Sequence, residues 1–183
     1  MWRTSPVKAT NSSTLHRYFA GIAEYVFQSH LGVADPPLVD YVSELLLRFV
    51  RSESIHRVRS LTGRPLTEVA EMLAEANARV GTARRSVHRH IGDFTLFWVG
   101  VYPEALREMQ SPMKKDHFID YCSQGKRAYF IASTIQAEED NEAPAPILEQ
   151  MSQQFELCAY GLREIRREWE RRDNEELPVL LVD

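Results

Sequence analysis

The chain has 183 residues, a length that suits one domain of ordinary size or at most a compact pair. Its 44% hydrophobic and 10% aromatic content excludes a disordered chain, and a core of this size needs neither metal nor disulfide for stability. The net charge of −4 is uneven, with nine Arg against four Glu between Arg48 and Gly92, and ten basic against eighteen acidic residues from Asp93 onward.

The start, Met1 to Pro6, is polar and lacks the apolar core of a secretory signal, and residues 1–11 read as a loose arm. Ser12, Ser13 and Thr14 supply N-cap candidates for a first helix, in which Leu15, Tyr18, Phe19, Ile22, Tyr25 and Val26 recur at helical spacing until Gly32. Asp35-Pro36-Pro37 is a helix start, followed by the stripe Leu38, Val39, Val42, Leu45, Leu46, Phe49 and Val50. Thr62 to Arg64 breaks the pattern, and Pro65 is expected to open a short helix carrying Leu66, Val69, Ala70 and Leu73. Gly81 marks the next turn.

The segment from Thr82 to Leu106 turns from polar to apolar on nearly every side, over Phe94 to Tyr102. A helix packed on all sides explains this better than a strand, because no second strand-like run exists to pair with it. The run is also far short of the ~20 residues that cross a bilayer. Ser111-Pro112 is expected to begin a helix reaching about Glu138, with His117, Tyr121, Gln124, Gly125, Ala128, Ala132 and Ile135 on one strip. Its Gly and Ala admit a close neighbouring backbone. Glu138 to Pro146 is a loop, and Ile147, Met151, Phe155, Cys158, Leu162, Ile165 and Trp169 mark one long final helix with a charged outer face. Residues 173–183 read as a tail. About six helices with short connections predict an all-α, single-domain antiparallel bundle. The two cysteines, Cys122 and Cys158, lie inside helical patterns and read as buried thiols of a cytoplasmic protein.

Candidate chemistry gathers beside the apolar segment. His90, Asp93, Phe97, Gly100 and Glu104 share one helix edge, and His117, Asp120, Tyr121 and Gln124 line the start of the following helix. The ligand-binding candidates are therefore His90, Asp93, His117, Asp120, Tyr121 and Gln124. In an antiparallel hairpin Glu104, not His90, lies nearer His117, so these residues need not form one cluster. His90 and Asp93 fit a metal-ligand or acid/base pair. The weightier alternative makes Asp93 a buried carboxylate satisfied by an Arg or Tyr of another helix. Arg84, Arg85 and Arg89 fit an anion site near a helix start, and surface pairing with the acidic later helices is the stronger competitor. Glu53 and His56 match the Glu-x-x-His of di-iron bundles, but such a site needs two copies and only one occurs. His30 or His117 would serve a haem-ligand reading. No P-loop, Gly-x-Gly-x-x-Gly, Gly-x-Ser-x-Gly or His-Glu-x-x-His is present.

The run His88-Arg89-His90-Ile91-Gly92-Asp93-Phe94-Thr95-Leu96-Phe97-Trp98-Val99-Gly100-Val101-Tyr102-Pro103-Glu104 resembles a signature of an uncharacterised family of all-helical bacterial proteins of unknown function. Tyr121-Cys122-Ser123-Gln124-Gly125-Lys126-Arg127-Ala128-Tyr129 is similar to a second block of that family. The resemblance implies a helical fold and a bacterial setting, and assigns no cofactor or site residue. The reading expected from all of this is a non-catalytic, homodimeric helical module binding a small molecule or protein. Its competitor is a metal- or haem-dependent enzyme with a His/carboxylate site in the core. A nucleic-acid partner using Arg48 to Arg89 is disfavoured by the overall acidity, and no membrane partner is expected.

Overall fold

The computed structural model describes residues 8–50, 58–60, 62–140 and 142–176, the side chains from Thr14 onward. Among them the fold is all-α, with eight α-helices and no strand. The helices are α1 (Lys8–Tyr25), α2 (Pro36–Val50), α3 (Val69–Ala78), α4 (Gly81–Gly100), α5 (Leu106–Met109), α6 (Tyr121–Thr134), α7 (Ala145–Gln153) and α8 (Phe155–Glu176). None is long and apolar enough to cross a membrane.

Helix α4 is the axis of the bundle and packs against α2, α3, α6 and α8. That neighbourhood explains its all-round apolar sequence: Val87, Ile91, Phe94, Leu96 and Phe97 are all buried, on different sides of one helix. Its closest partner is α6. A Cβ on Gly92 would stand 2.7 Å from the Tyr129 ring, and one on Gly125 would stand 2.5 Å from Phe155 and closer still to the Thr95 hydroxyl. These pairs fix an antiparallel crossing in which 92 meets 129 and 95 meets 125, and only glycine permits so short an interaxial distance. Helix α8 crosses the far end of α4 where Gly100 meets Leu162. It also runs antiparallel to α1, with Phe19 edge-on to Trp169 at 5.1 Å and Phe27 against Gly161.

The start of α2 matches its signal, since the Asp35 carboxylate accepts from the Leu38 N–H at 3.3 Å. Several boundaries differ from the expectations. Helix α1 begins at Lys8, ahead of Ser12, and its last turn widens into a π-helix over Val26–His30 before Gly32 turns at φ +67°. Pro65 opens no helix. It lies in an antiparallel bridge with Arg59, and α3 starts at Val69. The first two N–H groups of α3 are taken instead by a carboxylate from far along the chain, Asp116, at 2.8 Å each.

That same capture explains why no helix begins at Ser111-Pro112. Asp116 is pinned to α3 and to the Tyr121 hydroxyl, Ile119 is extended at ψ 121°, and Asp120 becomes the N-cap of α6 by accepting from Ser123. The long final helix is in fact two, broken at Gln154 (φ −109°, ψ 25°), and α8 carries on through residues 173–176 that read as tail.

Candidate functional site

Asp93 sits in the middle of α4, 4% exposed, and its carboxylate collects donors from three helices. Oδ1 accepts from the hydroxyls of Tyr41 on α2 and Tyr129 on α6, both at 2.7 Å. Oδ2 accepts from Arg48 Nη2 on α2 at 3.0 Å, and Arg89 Nε lies 3.8 Å away, one turn back on α4. Arg89 also donates to the Tyr41 oxygen at 3.2 Å and stacks over that ring at 5.5 Å. Burial first, then the carboxylate beside them, holds both tyrosine hydroxyls well above their usual range, so they remain donors at every physiological pH. This is a satisfied, buried carboxylate rather than an open acid or base.

His90, on the same helix, stacks on Phe49 at 5.9 Å with 19° between the planes, and its Phe94 neighbour lies at 6.1 Å. The other candidates fall elsewhere. His117 Nδ1 is 2.8 Å from the Gln110 carbonyl, Asp120 caps α6, and Gln124 gives its N–H to the Asp120 carbonyl at 2.9 Å in the first turn of α6. His117, Asp120 and Tyr121 border a shallow groove with Phe118 and Cys122. The antiparallel register brings Tyr129, and not His117 or Asp120, to Asp93. The second of the family-like blocks thus meets the first in space, through Tyr129 and Gly125.

The three arginines of the anticipated anion site separate. Arg85 is buried at 2% exposure and ties down the α6–α7 connection, donating to the Ile135 carbonyl (2.9 Å), Glu142 (2.9 Å) and the Ala143 carbonyl (2.6 Å). Arg89 serves Tyr41 and Asp93. Arg84 has no ion pair among the described residues. It shares a face with His88, whose ring is pulled down to about 4 by burial and then by Arg84 and by Arg127 of α6. Glu53 and His56 lie outside the described residues, and among the described ones no three His, Cys, Asp or Glu side chains converge in a metal-binding arrangement.

A second feature, missed from the sequence, is a cleft of about 320 Å³ between α4, α5 and the start of α6. Phe94, Trp98, Met109 and Tyr121 wall it, while Glu68, Glu108 and Lys114 stand among its polar lining. Trp98 brings an indole N–H that is buried with no acceptor among the described residues. Tyr121 is already spent on Asp116 at 2.6 Å, which fixes the orientation of that wall.

No protein-family model, curated protein or solved structure matches this chain. The site must therefore be judged on its own geometry.

Truncating a buried, paired carboxylate leaves its donors stranded, at a cost of about 3–5 kcal/mol. Asp93→Ala is expected to lower the unfolding free energy by that amount in urea denaturation. A loss under about 1 kcal/mol would show that the carboxylate does not hold the helices together.

Proposed function

We propose that this chain is a helical binding module that takes a small ligand with an aromatic or branched apolar body in the cleft between α4, α5 and α6. The observation that carries the reading is the cleft itself. Its volume of about 320 Å³ lies at the lower end of the range for small-molecule sites, and its walls are aromatic side chains and a methionine. The Trp98 indole N–H, beside the cleft, is buried without an acceptor among the described residues.

Binding is favoured over a metal- or haem-dependent reaction centred on His90 and Asp93 by what those side chains already do. Both oxygens of Asp93 are engaged by tyrosine and arginine donors, and the His90 ring is stacked on Phe49. The inward pairing of Arg48, Arg85 and Arg89 likewise removes the positive face that nucleic acid would need.

Ligand-observed NMR with fused-ring aromatic probes (indole, quinoline, 2-naphthol) tests the cleft. Binding is expected for at least one, weakened about tenfold or more by Met109→Trp, which fills the cavity. If no probe binds, or Met109→Trp leaves binding unchanged with the fold intact, the cleft is not the site.

The proposal extends to a homo-oligomer in a reducing cytoplasm, in a bacterium as the resemblance implies. Cys158 is a buried free thiol held up to about 12, chiefly by burial, as suits a reducing compartment. Met113 and Phe118, 93% and 94% exposed on one short connection beside the cleft, support a contact with a second copy. Light scattering should report a dimer that Met113→Asp with Phe118→Asp converts to monomer. A wild-type monomer at high micromolar concentration would end this part of the reading.

A further inference from the structure

Three aromatic rings line the cleft between α4, α5 and α6, and they are inclined to one another. Phe94 lies 6.2 Å from Trp98 with 63° between the planes, and 6.4 Å from Tyr121 with 56° between them. Phe94 and Trp98 are one turn apart on the same face of α4, and the close α4–α6 crossing brings Tyr121 to them. The space of about 320 Å³ beside these rings accepts a compact head group and a short apolar body.

The charges around the rings are net negative. Glu68 and Glu108 stand in the lining, and Asp116 accepts from the Tyr121 hydroxyl at 2.6 Å. Backbone N–H groups serve Glu68, through Lys115 at 2.6 Å, and Asp116, through Val69 and Ala70 at 2.8 Å each. Among the described residues none of these three carboxylates forms an ion pair, whereas the nearby Glu71 takes both Arg64 and Lys115. The cation in the lining is Lys114, which is exposed. The lining therefore holds two carboxylates against one ammonium. With Asp116, Glu71 and the two Glu71 partners included, four carboxylates face three cations.

We infer that the cleft takes a small organic cation, with a quaternary ammonium head on a compact apolar body. This rests on the cleft reading proposed above and names the ligand class of that same site. Aromatic rings attract a cation within about 6 Å of their centres, indole most strongly. A quaternary head suits such walls because it has no N–H to leave unsatisfied, whereas a primary ammonium brings three. Inclined rings also let a roughly spherical head touch more than one of them. Glu68 and Glu108 add attraction from the lining, and the hydrogen bond to Asp116 makes the Tyr121 ring more electron-rich. Lys114 opposes the cation, and its exposed side chain can turn toward solvent.

The test compares two ligands of the same shape and different charge, choline and 3,3-dimethylbutan-1-ol, in which a carbon replaces the ammonium nitrogen. Both are titrated into the full chain at constant ionic strength, with the Trp98 indole N–H signal as the NMR reporter. Choline is expected to bind about fivefold or more tightly than the alcohol. Glu108→Gln should weaken choline about threefold and leave the alcohol unchanged, and Lys114→Gln should strengthen choline. Glu108 is exposed and makes no side-chain hydrogen bond among the described residues, so that variant retains the fold. Equal or tighter binding of the alcohol overturns the inference, as does choline binding that Glu108→Gln leaves unchanged. If Met109→Trp still weakens the fused-ring probes in that case, the cleft stands as a site for neutral ligands. If neither choline, the alcohol nor any fused-ring probe binds, the cleft reading falls and this inference falls with it.

Discussion

A carboxylate buried in the middle of a helix needs several donors to reach it, and those donors must come from whatever packs against that helix. In this fold the requirement is met by Tyr41 and Arg48 on α2, Tyr129 on α6 and Arg89 on α4 itself. Asp93 thereby sets the rotation and height of two neighbouring helices relative to α4. Hydrophobic burial provides most of the driving force for association of the bundle, but apolar side chains tolerate sliding and repacking. A carboxylate that must meet two hydroxyls at 2.7 Å does not. The glycines at 92 and 125 belong to the same constraint, because Tyr129 reaches Asp93 only when α6 lies close enough for its ring to rest on Gly92.

A second carboxylate plays a comparable part at the start of α3. Asp116 receives the first N–H groups of α3 and the Tyr121 hydroxyl, and burial followed by that carboxylate raises the hydroxyl well above its ordinary range. The connection between α5 and α6 is therefore folded onto α3, with one 3-10 turn over Lys115–Phe118 rather than an α-helix. This shape opens the aromatic cleft beside Trp98 and leaves Met113 and Phe118 facing outward. The uneven charge of the sequence finds its use in the same way, as the basic middle pairs with the acidic end through Arg48–Asp93 and Arg85–Glu142.

How much was legible in the sequence follows from the range of each interaction. The helical class, the Asp35 start and the buried character of Phe94 to Tyr102 rest on periodicity and local caps, and each could be read from neighbouring residues. The expected starts at Pro65 and Ser111 relied on equally local signals, but a distant group outweighed them: Asp116 moved one helix start to Val69 and, being pinned, prevented another. The break at Gln154 carries no Gly or Pro to announce it. For the candidate site, Asp93 was visible as an odd carboxylate in an apolar run, but its donors lie 36 to 52 residues away and only the packing selects them. Tyr41 and Arg48, seven apart on one face of α2, were a usable signal that only tertiary context gives meaning. The arginines near the start of α4 looked alike in sequence, yet the fold commits Arg85 and Arg89 internally and leaves Arg84 with His88.

The most direct test of this account is a double-mutant cycle between Asp93→Asn and Tyr129→Phe, measured by urea denaturation with two-state analysis. If the carboxylate is the junction through which α4 holds α6, the two changes couple by about 1.5–3 kcal/mol, the range for hydrogen bonds to a charged group. Additivity within about 0.5 kcal/mol would mean that the Tyr129 hydroxyl and the Asp93 carboxylate contribute independently, and the bundle would then owe its register to apolar packing alone.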